Sequence, residues 1–260
     1  MEPEEQRQLP LSQVRELKPG SMHYRAYIGS AGSYDATAAM QFNLMTALGL
    51  REKHTLLDIG CGGLSGGRLF IPYLLPDHYF AIEPNPWLVQ DAIANETGND
   101  QVLLKRPQFL HSSDFPLHAF GRKFDYVLAQ SILSHTSRKQ MEHCFRQVRD
   151  VLEPKGIFAA NHAIGAAYEG GEWVYPNFAT YPTAFLIDRA QEAGLKAFPL
   201  IWTNHYSLIW MTFVRDDYPG ELSWLGANTV EQKGMRILEL SSENAKLKRK
   251  LAEAEAKLKT

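Results

Sequence analysis

The sequence predicts an α/β fold in which short buried strands alternate with helices and present their carboxyl ends to a ligand. Three observations predict it. The apolar run Leu56-Leu57-Asp58-Ile59 enters the stretch Gly60-Cys61-Gly62-Gly63-Leu64-Ser65-Gly66-Gly67, as a buried strand enters a tight turn and then a helix. A second apolar run, Tyr79-Phe80-Ala81-Ile82, ends on a carboxylate, Glu83, 23 residues after Gly60. A helix over about 139–152 passes through Glu153-Pro154-Lys155-Gly156 into a further strand, Ile157-Phe158-Ala159-Ala160.

The glycine turn is the most specific of these. Gly60 and Gly62 permit φ > 0 and a close backbone approach to a ligand, and a turn of this kind leaves N–H groups to hold an anionic or polar group. A dinucleotide fingerprint, G-x-G-x-x-G, would need its third glycine at position 65, which is Ser65. Asp58, two residues before Gly60, suits a cofactor that carries positive charge and no pyrophosphate.

At Asp58, Gly60 and Gly62 the chain resembles motif I of the class I S-adenosylmethionine-dependent methyltransferases, D/E-x-G-x-G-x-G; it departs at the third glycine position, which holds Leu64, with Gly66-Gly67 following. The resemblance implies a Rossmann-like fold with a seven-stranded, mostly parallel sheet. It implies S-adenosylmethionine as cofactor and S-adenosylhomocysteine as product. It gives Glu83 the ribose hydroxyls, Asp114 the adenine amino group and Phe115 a stacking place beside it. The full cofactor set implied is Asp58, Gly60, Cys61, Gly62, Glu83, Pro84, Asp114, Phe115 and Gln130.

The elements follow in order. Residues 1–20 are polar and read as a loosely attached arm or short helix. Residues 21–50 carry Tyr24, Tyr27 and Tyr34, a Gly29–Ser33 turn, and a helix with Ala38, Met40, Phe42, Leu44, Met45 and Leu48. The stretch from Tyr27 to Tyr34 is expected to cover the ligand. The cofactor-binding domain spans 51–218. Its third strand is read over 108–115 and its fourth over 124–130. Residues 163–181 exceed the usual strand-to-helix join of about 2–6 residues and are expected to form a substrate lid, with Tyr168, Glu172, Trp173 and Tyr175 as contacts beside Tyr27 and Tyr34. A helix over about 182–193 precedes two last strands, 195–202 and 207–214, which resemble the terminal antiparallel hairpin of the methyltransferase fold.

Composition is that of a globular protein: 260 residues, 45% hydrophobic, 22% charged, net charge −2, pI about 6.5. That balance gives no electrostatic reason to bind nucleic acid. Ala129-Gln130-Ser131-Ile132 stands where DNA amino-methyltransferases carry Asp/Asn-Pro-Pro-aromatic, and no Pro-Cys dipeptide offers a thiolate for pyrimidine chemistry. Cys61 and Cys144 lack metal-ligand spacing and are read as reduced and structural; no bound metal is expected. No apolar run approaches the roughly 20 residues of a membrane span, and the start, Met1-Glu2-Pro3-Glu4-Glu5, lacks the features of a signal peptide. A cytosolic protein is expected.

Methyl transfer to a hydroxyl profits from a base, usually histidine near neutral pH. His135, just past the fourth strand, is the first candidate and His162, just past the fifth, the second. The expected acceptor is a small molecule or a glycan hydroxyl; the tyrosines and Trp173 suit a sugar ring and a planar aromatic equally. Transfer to a nitrogen of a protein or amine, which needs no strong base, stays open, as does a non-catalytic scaffold that organises partners.

The last segment, 228–260, differs in kind. Ile237, Asn244, Leu251 and Leu258 fall at heptad a positions, and Leu240, Leu247 and Ala254 at d. The Asn at a favours a parallel pair, in which Glu243 would meet Lys248 and Lys250 would meet Glu255. A parallel homodimer through 237–258 is expected. The repeat is still running at Thr260, which points to a longer coiled coil or an appendage that docks a partner.

Overall fold

A computed structural model describes residues 2–200, 202 and 208–220. Its strands are β1 (Leu56–Ile59), β2 (Tyr79–Ile82), β3 (Gln108–Leu110), β4 (Phe124–Ala129), β5 (Leu152–Ala163), β6 (Leu195–Leu200) and β7 (Leu208–Arg215). They form one sheet in the order β3-β2-β1-β4-β5-β7-β6. β7 is antiparallel to both β5 and β6, and the other pairings are parallel. The expected mostly parallel, seven-stranded sheet with an antiparallel end is therefore present. The expected coiled coil lies outside the described residues.

The helices are α1 (Pro3–Arg7), α2 (Leu11–Val14), α3 (Tyr24–Tyr27), α4 (Tyr34–Ala47), α5 (Gly67–Tyr73), α6 (Pro86–Ala92), α7 (Asn99–Lys105), α8 (Arg138–Val151) and α9 (Thr183–Glu192). Both faces of the sheet are covered, which is why β1 and β2 are buried without alternation. Leu57, Ile59, Val127 and Phe158 pack on one face with Met141, Phe145 and Val148 of α8 and Leu186 of α9. Leu56, Tyr79, Leu128 and Ala159 pack on the other with Leu44 and Met45 of α4 and Phe70 of α5. Ser137 starts α8 with a reciprocal cap: its Oγ accepts from the Gln140 N–H (3.4 Å) and its own N–H donates to Gln140 Oε1 (2.9 Å).

Three boundaries differ from the sequence reading. β3 ends at Leu110, not 115, because the chain turns there: the Glu83 N–H takes the Leu110 carbonyl (3.1 Å), and Phe115 adopts φ 47°. β5 begins at Leu152, since Glu153–Gly156 forms a bulge within the strand, across which the register jumps from Phe124↔Leu152 to Tyr126↔Ile157. The arm is docked instead of loose. Arg7 pairs with Asp91 at 2.7 Å, and Val14 is buried in a small cluster with Ala26 and Ala31. Among the described residues no helix is long and apolar enough to cross a membrane.

Candidate active site

The order of strands reverses between β1 and β4, the place where open α/β sheets bind ligands beyond their carboxyl ends. The Gly60 and Cys61 N–H groups both donate to the Ile82 carbonyl, at 2.8 and 3.1 Å, so the glycine turn is tied to the end of β2. Gly60 and Gly62 take φ 71° and 51°, as their left-handed places require, and Leu64 takes φ 54°. The space a side chain would fill at Gly60 and Gly62 holds Ile132 and Ile28, so these glycines admit protein side chains as well as bringing backbone to the cleft. Gly63 lies under the N-terminal cover: a Cβ there would fall 2.4 Å from the Tyr24 carbonyl oxygen. Gly63→Ala is therefore expected to cost about 2 kcal/mol through overpacking, read as a lower midpoint in thermal unfolding.

Two carboxylates frame the turn. Asp58 is buried, its Oδ2 accepts from the Tyr79 hydroxyl at 2.7 Å, and burial raises its carboxyl to about 7 despite that bond, with the nearby Glu83 charge adding to the rise. Glu83 Oε2 accepts from the Gly62 N–H (3.1 Å), while Oε1 accepts from the Asn85 N–H (2.9 Å) and side-chain amide (2.8 Å). Burial raises the Glu83 carboxyl, opposed by those three bonds. Of about four lone pairs on the carboxylate, one on Oε2 is left for a ligand.

Around them lie two adjoining cavities of about 60 and 380 Å³. Ile28, Gly60, Gly62, Gln130 and Ser131 line both. The smaller is polar, with Asp58, Gln41 and Ser65 on its wall. Arg25 also lines it, but its Nε is committed to Glu96 at 2.6 Å. The larger runs from Glu83, Pro84 and Leu88 past Phe115 to His135. At the junction, Gln130 is held by a closed set of bonds. Asn161 Nδ2 donates to Gln130 Oε1 (2.8 Å), Gln130 Nε2 to Ser131 Oγ (2.8 Å), and the Ser131 N–H to Asn161 Oδ1 (2.7 Å).

Two segments, around Tyr27–Tyr34 and around Trp173–Tyr175, meet at the cavities. The Tyr175 hydroxyl donates to the Tyr27 carbonyl, and the Tyr27 ring meets Trp87 edge-on at 5.2 Å. The Tyr34 hydroxyl donates to the Gly63 carbonyl at 2.7 Å.

His135 is buried at the wall of the larger cavity. Its Nδ1 lies 2.7 Å from the Asn177 carbonyl, which can only accept, so Nδ1 carries the proton and Nε2 keeps its lone pair. Burial holds its pKa below the ordinary 6.5, against the opposing backbone bond. His162 is placed differently. It is fully buried, with Nδ1 3.2 Å from the Ala163 carbonyl and Nε2 3.3 Å from Thr183 Oγ1, and burial lowers it to about 4.

Of the residues singled out in the sequence, Tyr27, Tyr34, Asp58, Gly60, Cys61, Gly62, Glu83, Pro84, Phe115, Gln130, His135, Trp173 and Tyr175 line one or both cavities. Asp114, His162, Tyr168 and Glu172 line neither. Asp114 and Glu172 are exposed, and Tyr168 packs at the edge of the core. Ser112 and Ser113 reach the larger cavity where Asp114 was expected. Ile28, Asn85 and Asn161 were missed; only Asn85, two residues after Glu83, carried a sequence signal.

A sheet of this order, with its cleft between a glycine turn and a second-strand carboxylate, defines the Rossmann-like class I methyltransferase fold. Residues 57–158 match a family model described as a methyltransferase domain. The fold of the chain is thus that of the class I methyltransferases, and residues 57–158 match a methyltransferase domain within it. Among solved structures it is similar to magnesium protoporphyrin IX methyltransferase from Synechocystis PCC 6803 with bound S-adenosylhomocysteine (TM-score 0.54, 14% identity, 71% of this chain and 84% of that one). It is similar also to the CcbJ methyltransferase from Streptomyces caelestis (TM-score 0.53, 13% identity, 70% and 89%). A third is the glycopeptide N-methyltransferase MtfA complexed with S-adenosylhomocysteine (TM-score 0.52, 13% identity, 70% and 90%). At such identity the likeness speaks to the fold. No curated protein matches by sequence.

Proposed function

We propose that the protein transfers the methyl group of S-adenosylmethionine to a hydroxyl of a small molecule or glycan, with His135 as the base. The observation that carries this reading is the His135 ring: Nδ1 is tied to the Asn177 carbonyl, and Nε2 is left as an acceptor at the cleft wall. The walls fit the cofactor. Glu83 keeps a lone pair for a ribose hydroxyl, Pro84, Leu88 and Phe115 offer apolar surface for adenine, and Asp58 faces the polar end where an ammonium would sit. Among the described residues no Lys or Arg lines the larger cavity to meet a pyrophosphate. Bound there, the cofactor supplies an activated methyl group and a good leaving group. The chain supplies alignment, a roof that excludes water, and a place for the acceptor's proton.

The test is formation of S-adenosylhomocysteine from S-adenosylmethionine with hydroxyl acceptors, in wild type and His135→Ala. The variant is expected to lose about 10²–10⁴-fold in kcat with S-adenosylhomocysteine affinity unchanged. In wild type, kcat/KM should rise with pH through a value below 6.5 and then level, because the neutral ring is the active form. Transfer to a nitrogen would leave the His135→Ala rate near that of wild type.

Two further expectations belong to this reading. Tyr175→Phe, which removes the roof bond to Tyr27, should speed release of S-adenosylhomocysteine about fivefold, the effect of one ordinary hydrogen bond. The heptads over 237–258 support a parallel homodimer; truncation after Ala227 should then halve the mass seen by light scattering, and an unchanged mass would contradict it.

A further inference from the structure

The hydroxyl reading leaves the acceptor's chemistry open, and the lid narrows it. Three aromatic rings surround His135: Trp173 at 5.4 Å, Tyr175 at 5.0 Å and edge-on, and Phe178 at 5.2 Å and stacked. Their places are set by hydrogen bonds to the His135 loop. The Val174 N–H donates to the His135 carbonyl (3.1 Å), the Ala179 N–H to the Ser134 carbonyl (2.8 Å), and the Asn177 carbonyl takes His135 Nδ1. Yet Trp173 and Phe178 are 44% and 48% exposed. Large aromatic faces held rigidly at a base and left half in water are a docking surface for a flat apolar partner.

The charges agree. Among the described residues Glu83 is the one formally charged side chain on the wall of the larger cavity, and it lies at the β2 end, with its oxygens largely committed to Gly62 and Asn85. Around His135, among the described residues, no Lys or Arg lines the cavity to hold a phosphate or carboxylate, and no acid lines it to hold an amine. Gln140, on the same wall, has Oε1 engaged by the Ser137 N–H (2.9 Å) and hydroxyl (3.1 Å). A pyranose carries hydroxyls around its rim, and the Trp173 and Tyr175 rings on the wall would leave those that face them unpaired at a cost for each.

Resting on the hydroxyl-transfer reading, we propose that the acceptor is a neutral aromatic hydroxyl, its ring held by Trp173 and Tyr175 and its oxygen at His135 Nε2, with Phe178 stacked on the imidazole. In the transfer the phenolic O–H gives its proton to Nε2. An oxygen lone pair forms the O–CH3 bond as the S–CH3 bond breaks with its electron pair passing to sulfur. The products are an aryl methyl ether, a neutral thioether and an imidazolium that returns its proton to water. The acidity is matched: a phenol ionises near 10, far below an alcohol, whose value lies toward the ~15.7 of water, and a buried histidine is a weak base.

The test is a fluorine NMR titration with 4-fluorophenol, run with and without S-adenosylhomocysteine, on the full chain and on Trp173→Ala and Phe178→Ala. Both side chains are half exposed, so their removal leaves the core intact, and matching thermal midpoints check this. Saturable binding is expected, weakened about fivefold in each variant and undisturbed by a large excess of methyl glucopyranoside. Displacement by the glucoside, equal affinity in the variants, or no binding under either condition would overturn the proposal. Failure of the underlying reading looks different: no hydroxyl acceptor, sugar or phenol, would yield S-adenosylhomocysteine in a manner sensitive to His135→Ala.

Discussion

Replacing Glu83 by alanine is expected to weaken S-adenosylhomocysteine binding about a hundredfold. Two effects add. The ligand loses a charge-assisted bond from a ribose hydroxyl, worth about 1.5–3 kcal/mol. The Gly62 and Asn85 N–H groups lose their acceptor, so the glycine turn and the start of α6 are no longer held to one carboxylate. Glutamine should rescue little, because three donors already point at the two oxygens and an amide would set a fourth donor among them. Calorimetric titration reads the affinity and thermal unfolding separates it from a general loss of fold. An affinity within threefold of wild type in a folded Glu83→Ala protein would remove Glu83 from the ribose.

Asp58→Asn should act in opposite directions on stability and on binding. The folded carboxyl is raised from 3.8 to about 7, so the folded chain holds a proton that the unfolded chain has released. Stability contributed by Asp58 is therefore lost as pH climbs from about 4 to about 7, by up to about 4 kcal/mol. Asparagine can keep the Tyr79 bond and does not titrate, so the variant's advantage in urea unfolding should grow across that window and stay level above it. His162 contributes the reverse slope, losing stability as pH falls from 6.5 to about 4, but it is common to both proteins and cancels in their difference. Binding moves the other way. Above pH 7 the Asp58 carboxylate faces the ligand's ammonium, and its loss should weaken S-adenosylhomocysteine about tenfold. Parallel stability curves, or an unchanged affinity, would contradict the role given to Asp58.

These two residues were legible in the sequence because each is a single acid at the carboxyl end of a short buried parallel strand, Asp58 one residue before the end of β1 and Glu83 just after β2. The seven-stranded, mostly parallel sheet with its antiparallel end is what the resemblance at Asp58, Gly60 and Gly62 implied, and the strand order came from the structure. The two histidines were not separable that way, since each follows an apolar run. The chain leaves the sheet after Ala129 through Ser131, at φ 55°, which brings His135 to the cleft. β5 instead continues to Ala163, where β7 pairs with it, and His162 is sealed between Ile209 and Thr183. Where a strand stops is decided by its neighbours, and Leu208–Arg215 lies far along the chain. The docked arm has the same origin: the Arg7–Asp91 pair joins residues 84 apart, and neither segment advertises the other. Ser112 and Ser113 displaced Asp114 through the early end of β3, a matter of two residues that a polar run does not record.

In the proposed complex one S-adenosyl ligand spans both cavities from Glu83 to Asp58. Calorimetric titration of the full chain with S-adenosylhomocysteine tests it most directly, with Asp58→Asn and Glu83→Ala alongside. Micromolar binding at one site per chain is expected, weakened by either substitution. Folded protein that gives no heat and no thermal shift with the ligand, or binding indifferent to both substitutions, would contradict it.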